Sequence, residues 1–208
     1  MEYISIAFTG HRPNRLYGYD LNNPRYKQLS KILKELLDKI DYDNPGKGLK
    51  GIVGGALGFD TLAYNTLYNK KISGEFPEYN SLKIEMAIPF RNQNIKWNYI
   101  DKVKYSFCLE HSDKITYVDK EEKYKIKGVQ EDIYHISKMQ KRNEYMVNRL
   151  DSINDKLIAV WNGSNSGTAN CVHYAESRGK NIIYINPNNI VLTKNLIYSV
   201  NDNSNFYL

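Results

Sequence analysis

Residues 49–63 read LKGIVGGALGFDTLA, and this stretch decides the fold. The short apolar run at 49–53 ends in a turn that contains three glycines, and residues 59–69 beyond the turn carry apolar side chains at helical spacing. A buried strand that passes through glycines into a helix is typical of sheets whose parallel strands are connected by helices. We therefore predict an α/β fold around this segment.

The same alternation of strand and helix extends along the chain. Apolar runs and turn residues predict strands at 3–8, 82–88, 114–118, 156–160 and 181–185, and helices at 25–40, 94–108, 130–150 and 168–178. The helix at 130–150 is predicted to bury Ile133, Ile136, Met139, Met146 and Leu150, and the charged residues 119–127 are predicted to be an exposed excursion. Connections of this kind are right-handed, so we expect a Rossmann-like, mostly parallel sheet with helices on both faces.

The chain has the length of one domain. It contains 208 residues and shows no internal repeat and no break in composition that would mark a linker. We predict a single domain over residues 1–208, with a core at 3–187 and a polar C-terminal tail at 188–208.

The composition favours an ordinary globular protein and argues against several functional classes. Hydrophobic residues make up 41% and charged residues 25%, and the formal net charge of +6 is scattered rather than clustered. A scattered excess is typical of a solvated surface, so nucleic acid is not the expected partner. The two cysteines are far apart, and the four histidines lack metal-ligand spacing, so neither a disulfide framework nor a metal site is predicted.

The location is predicted from the N-terminus and from the lack of long apolar segments. The chain enters its first strand without a signal-peptide pattern, and no stretch approaches the roughly 20 apolar residues of a membrane span. We expect a cytoplasmic protein, in the host cytoplasm if a virus encodes it, with no membrane partner.

Three loops that follow predicted strands carry the candidate binding residues. The carboxyl ends of parallel strands form the usual ligand site of such sheets, and glycine turns that open helices attract phosphate through free backbone N–H groups. The candidates are Thr9, Gly10, His11 and Arg12 in the first loop, Gly54, Gly55, Gly58 and Asp60 in the second, and Gly163, Ser166, Gly167, Thr168 and Asn170 in the third.

Several of these residues have a structural alternative. Arg12 suits a two-pronged bond to phosphate but also a tight turn with a surface arginine. Asp60 suits a ribose hydroxyl but also the capping of its helix. Arg142 and Asn143 interrupt the apolar stripe of the helix at 130–150, and we favour a site role for them.

The chain resembles the YspA/YpsA-type family of the SLOG superfamily. The resemblance rests on segments that follow one another in order over about residues 3–187: 9–13, 55–60, Pro89–Phe90 with Trp97, 142–143 with 146–147, and Trp161 with 167–170. SLOG domains are Rossmann-like and include the LOG phosphoribohydrolases, the DNA-processing protein DprA and bacterial immune sensors. The resemblance implies a ligand built from nucleoside and phosphate, and a homo-oligomer.

A comparison with the LOG pattern favours binding over catalysis. The pattern Met-x-x-Arg is kept at Met139 and Arg142, and Gly167-Thr168 is kept in the glycine loop, but Cys171 stands where LOG enzymes carry the glutamate that assists cleavage of the base–ribose bond. Cleavage through an oxocarbenium-like state needs a carboxylate. No catalytic residue is assigned and no cofactor is expected.

The leading hypothesis is therefore a protein that binds, and so senses or sequesters, a phosphate-bearing nucleotide-derived small molecule. An ADP-ribose-like or cyclic signalling nucleotide fits this description, and a virus would gain a sponge for an immune signal. The alternative is a LOG-like hydrolase in which Asp60 or Glu144 replaces the missing glutamate, and the third is DprA-like nucleic-acid binding.

Overall fold

The computed structural model describes residues 1–74, 82–190 and 206–207. Its strands are β1 (Tyr3–Gly10), β2 (Gly48–Val53), β3 (Leu82–Ile88), β4 (Lys114–Tyr117), β5 (Lys156–Val160), β6 (Ile182–Ile185) and β7 (Phe206–Tyr207). Its α-helices are α1 (Pro24–Tyr42), α2 (Phe59–Ile72), α3 (Tyr99–Glu110), α4 (Ile136–Val147) and α5 (Gly167–Ser177). Short 3₁₀ turns lie at Pro13–Arg15, Val118–Lys120 and Glu122–Tyr124.

The strands form one sheet in the order β4-β3-β2-β1-β5-β6-β7, and each described pair is parallel. From β1 the chain first adds strands on one side, as far as β4, and then returns to the other side of β1 with β5. The direction of strand addition therefore reverses between β1 and β5. A reversal of this kind opens a crevice at the carboxyl ends of the strands.

Helices cover both faces of the sheet. One hydrophobic cluster joins the β1 side chains Ile4, Ile6 and Phe8 to buried residues of α1, α2 and α3. The other joins the β1 residue Ala7 to buried residues of α4 and α5. Because successive side chains of a strand point to opposite faces of the sheet, neighbouring residues in β1 belong to different clusters. The predicted Rossmann-like fold is confirmed, with a sheet that is wholly parallel where it is described.

Two helices are shorter than predicted. α3 begins at Tyr99 rather than 94, because the Asn98 side chain caps it by accepting a hydrogen bond from the N–H of Asp101 at 2.8 Å. α4 begins at Ile136 rather than 130, and it ends at Val147. The predicted burial of Ile133 and Ile136 is wrong, since 52% and 67% of these residues remain exposed.

The segment before α4 is not helical, because it packs around a buried ion pair. Lys138 Nζ lies 2.9 Å from Asp119 Oδ2 and donates to the Gln130 carbonyl at 2.6 Å. Asp119 also accepts the N–H of Asp132, whose φ of 60° is incompatible with a helix. Together with the buried ring of Tyr124, this ion pair shows that the predicted excursion at 119–127 is partly packed rather than exposed.

The tail predicted at 188–208 falls mostly outside the described residues, although Phe206–Tyr207 pairs with β6 as a short strand. Within the described part of the chain, no helix combines the length and the apolar character that a membrane crossing requires.

Candidate functional site

The crevice at the carboxyl ends of the strands brings the three predicted loops together. β1 lies between β2 and β5 in the sheet, so the loops that follow these three strands are neighbours. They surround a cavity of about 370 Å³, a volume within the range of small-molecule sites. Its walls include Thr9, Gly10, His11, Arg12, Asn14 and Arg15 from the first loop, Ala56 and Asp60 from the second, Asn165, Ser166, Gly167 and Thr168 from the third, and Ile136, Met139, Arg142 and Asn143 from α4.

Close packing of the backbone at the end of β1 requires glycine. A Cβ atom at Gly10 would lie 2.5 Å from Cδ1 of Phe59. The first residue of α2 therefore packs directly against the first loop, and the N–H of Phe59 donates to the His11 carbonyl at 3.2 Å. This contact holds the first and second loops in a fixed relation.

Arg142 reaches from α4 across the cavity to the second loop. Its Nη1 donates to Asp60 Oδ2 at 3.1 Å, and the same oxygen accepts the N–H of Ala56 at 3.1 Å. Only 11% of the Arg142 side chain is exposed, and its Nε has no hydrogen-bond partner among the described residues. The guanidinium passes directly over Gly54, where a Cβ atom would lie 1.3 Å from Nη1.

Two further arginines add positive charge at the cavity wall. Arg15 Nη1 donates to the Asn165 carbonyl at 2.8 Å and so ties the first loop to the third. Arg12 makes no ion pair or side-chain hydrogen bond to the described residues. The neighbouring loops partly desolvate Arg12, which lowers its pKa from the ordinary value; the charge of Asp60 opposes this effect and that of Arg142 adds to it. An arginine remains protonated under such conditions, so Arg12 offers free donors to an anion.

The third loop supplies backbone donors at the N-terminus of α5. The Ser166 side chain caps the helix by accepting the N–H of Ala169 at 3.2 Å. The N–H groups of Gly167 and Thr168 have no acceptor among the described residues. Asn143 donates from Nδ2 to the Gly167 carbonyl at 3.1 Å and fixes this turn against α4. Free N–H groups in the first turn of a helix attract phosphate.

A model of the YspA SLOG family matches residues 6–190. The chain belongs to this family. It is 34% identical to the SPbeta prophage-derived protein YoqJ of Bacillus subtilis over 157 residues, which cover 75% of this chain and 85% of that protein. A UPF0398 protein of Bacillus thuringiensis is 24% identical over 182 residues, 84% of each chain.

A solved structure supports the SLOG fold. The structure of DNA processing protein A (DprA) from Streptococcus pneumoniae superposes with a TM-score of 0.54 at 14% identity and covers 88% of this chain. This SLOG chain spans half the length of that structure. The likeness concerns the fold alone.

The structure places most, but not all, of the predicted residues at the cavity of this SLOG chain. Gly54 lies beneath the Arg142 guanidinium, while Gly55 and Gly58 line a separate, mainly apolar cavity on the other side of the second loop. Gly163 lines none of the described cavities; its φ of 83° serves the turn after β5. Asn170 faces an adjoining groove between α4 and α5.

Glu144, one of two replacements proposed for the LOG glutamate, pairs with Lys141 at 2.8 Å and does not line the cavity.

The cavity wall also contains residues that were not predicted from the sequence: Arg15, Asn165, and the apolar side chains of Ile136 and Met139. Arg15 carried a usable signal, because residues three apart in a 3₁₀ turn lie on the same side and Arg12 immediately precedes the turn that begins at Pro13. Asn165 contributes its carbonyl group, which no side-chain pattern reveals.

His11 is a buried connector between the first and third loops. Only 2% of it is exposed. Its ring Nε2 lies 2.8 Å from Asn162 Oδ1, and its backbone N–H donates to the Val160 carbonyl. Burial lowers its pKa from 6.5, although the hydrogen bond with Asn162 acts in the opposite direction. His11 is therefore neutral at pH 7, and we expect it to position the loops rather than to supply charge.

This lowered pKa predicts a loss of stability in mild acid. Because the unfolded chain binds the proton first, the free energy of unfolding should fall as the pH drops below about 6.5, by about 1.4 kcal/mol for each unit of pKa lowering. Urea unfolding of the natural chain and of His11→Gln at pH 7.5, 6.5 and 5.5 measures this loss. The glutamine variant should show a smaller loss, whereas equal losses would show that His11 titrates normally.

Proposed function

We propose that this protein binds a phosphate-bearing, nucleotide-derived small molecule in the cavity between its three loops. The observation that carries the proposal is the convergence of free cationic and backbone donors on one cavity of about 370 Å³. An ADP-ribose-like or cyclic signalling nucleotide belongs to the ligand class that we propose. Sensing or sequestering such a signal is the use that we infer for the protein.

The charge balance of the cavity supports an anionic ligand. The cavity is lined by three arginines, Arg12, Arg15 and Arg142, and by one acidic side chain, Asp60. Two positive charges are therefore not balanced by a negative one. Asp60 already pairs with Arg142, so the excess belongs to Arg12 and Arg15. A phosphate group would accept hydrogen bonds from Arg12 and from the N–H groups of Gly167 and Thr168. Proteins commonly bind phosphate with an arginine side chain together with the N-terminus of a helix.

Asp60 fits a binding role better than a hydrolytic one. Its Oδ2 accepts two hydrogen bonds, and its Oδ1 accepts none from the described residues. The free oxygen is suited to a ribose hydroxyl. The oxygen that Arg142 and the N–H of Ala56 hold is already engaged, so it is not free to approach a leaving base.

Calorimetric titration with AMP and ADP-ribose, followed by chromatography of the recovered ligand, tests the proposal. We expect saturable binding and a ligand recovered unchanged. Release of a free base would favour the LOG-like hydrolase instead, and no heat with either nucleotide would count against the proposed function.

Replacing Arg12 with alanine should weaken the binding of AMP about 10- to 100-fold. Hydrogen bonds to charged groups contribute about 1.5–3 kcal/mol, and Arg12 is not engaged within the described structure. Arg25→Ala is the matched control, because it removes the same charge from an exposed position outside the described cavities. Equal weakening by both variants would indicate a general charge effect rather than a contact at the site.

A further inference from the structure

The cavity between the three loops, where we propose that phosphate binds, continues into a second groove of about 610 Å³ between α4 and α5. We call the two ends of this space the phosphate end and the groove. The two spaces share Ile136, Met139, Asn143 and Gly167, so they form one continuous surface. The exposed backbone of Gly167 lies at their junction, and a Cβ atom there would meet nothing within 4 Å. A ligand anchored at the N-terminus of α5 can therefore extend over Gly167 without a steric barrier.

The two ends of this continuous surface differ in chemistry. The phosphate end carries three arginines, whereas the groove is lined by no lysine, arginine, aspartate or glutamate of the described residues. Its lining consists of Ile136, Ser137, Met139, Gln140, Asn143, Gly167, Asn170, His173 and Tyr174. A molecule that fits both ends is anionic at one end and uncharged, with apolar and hydrogen-bonding groups, at the other.

The side-chain amides of the groove are free to recognise such a group. Gln140 and Asn170 make no side-chain hydrogen bond to the described residues, and Asn143 uses only its Nδ2. Each amide offers both a donor and an acceptor, the complement of the edge of a nucleobase, and Asn and Gln pair in this way with adenine. Met139 and Ile136 offer apolar surface beside them.

The aromatic residues of the groove are held in place. The Tyr174 hydroxyl donates to Asn148 Oδ1 at 3.1 Å, and the guanidinium carbon of Arg178 lies 5.1 Å from the centre of the Tyr174 ring. His173 packs edge-on against Trp161, with ring centres 5.8 Å apart. A groove with fixed rings and unengaged amides needs little reorganisation to accept a flat heterocycle.

We infer that the α4–α5 groove holds the base of the ligand, so that the site takes a nucleoside 5′-phosphate rather than a sugar phosphate or inorganic phosphate. This inference rests on the proposed function and specifies the second half of the same site. Gln140 and Asn170 are assigned to the edge of the base, and Gly167 marks the point that the sugar crosses.

Calorimetric titration of the full chain with AMP and with ribose 5-phosphate tests the inference. AMP should bind at least about tenfold more tightly than ribose 5-phosphate, since each well-formed amide pair with a base contributes about fivefold or more and the groove offers two such amides. In the variant Gln140→Ala/Asn170→Ala the advantage of AMP should disappear, while the affinity for ribose 5-phosphate stays unchanged. Both substitutions lie on the surface of helices, so thermal unfolding should stay near that of the natural chain.

The outcomes separate the inference from the proposed function. If AMP and ribose 5-phosphate bind equally well to the natural chain, or if the double variant keeps the advantage of AMP, the base lies elsewhere and the phosphate site stands. If neither compound binds, the proposed function and this inference both fail. Arg12→Ala serves as the reference, because it should weaken both ligands alike.

Discussion

Replacing Glu85 with glutamine is expected to lower the free energy of unfolding by about 3 kcal/mol, because the substitution removes one side of a buried charge network. Glu85 on β3 is fully buried. Its carboxylate accepts hydrogen bonds from Tyr145 at 2.5 Å and Thr116 at 2.8 Å, and it lies 2.6 Å from Lys50 Nζ. The bond to Tyr145 joins α4 to the sheet, so the same substitution should loosen the helix that carries Arg142.

The pH dependence of this effect identifies its origin. Burial alone would raise the pKa of Glu85, but the hydrogen bonds from Lys50, Tyr145 and Thr116 outweigh it and lower the pKa from 4.5 to about 2. A lowered carboxyl pKa stabilises the folded protein above the unfolded value, and this contribution is lost as the pH falls from 4.5 towards 2. The natural chain should therefore be more stable than Glu85→Gln at pH 7, and the two should converge in acid.

Urea unfolding of both proteins at pH 7 and at pH 3 measures the two effects. Glu2→Gln is the matched control, because Glu2 also pairs with a lysine, Lys47, at 3.1 Å but 80% of its side chain is exposed. Exposed pairs contribute about 0–1 kcal/mol, so this control should change the free energy of unfolding little. A similarly small change for Glu85→Gln would mean that the network does not stabilise the fold.

The architecture was predictable from the sequence because it depends on repeated local patterns. Each buried strand is an apolar run, and the glycine turn at 54–58 marks the passage from strand to helix. The start of α4 was not predictable in this way. Its position depends on the ion pair between Lys138 and Asp119, which are 19 positions apart in the sequence. The apolar spacing before Ile136 continues the helical periodicity and gives no sign of this contact.

The loops of the candidate site were predictable, because each of them follows the end of a predicted strand. The loops after β1, β2 and β5 meet because those strands are neighbours, which the order of elements alone does not establish. The division between the cavity of the three loops and the groove that contains Asn170 depends on how α4 crosses α5. The role of Gly54 depends on its contact with Arg142 across the sheet edge, and such a contact leaves no spacing in the sequence. The position of Arg15, in contrast, follows from its place in the turn after Arg12.

Gly54→Ala is expected to abolish most of the ligand affinity, because the new methyl group occupies the place of the Arg142 guanidinium. The Cβ atom would lie 1.3 Å from Nη1 and 2.4 Å from Cζ of Arg142, and 2.8 Å from Asp60 Oδ2. The arginine must leave its bond to Asp60, and the charges of Arg142 and Asp60 are then both displaced. We expect the affinity for AMP to fall at least about 100-fold and the free energy of unfolding to fall by about 1–3 kcal/mol.

A double variant separates steric exclusion from loss of the fold. Gly54→Ala/Arg142→Ala removes the side chain with which the methyl group collides, so its loss of stability should be smaller than the sum of the losses in Gly54→Ala and Arg142→Ala, while AMP binding stays weak. Such non-additive behaviour is expected only for residues in direct contact. Gly167→Ala is the stability control, because its Cβ atom meets nothing within 4 Å. If Gly54→Ala binds AMP as the natural chain does, Arg142 has no part in holding the ligand, and the cationic wall of the cavity reduces to Arg12 and Arg15.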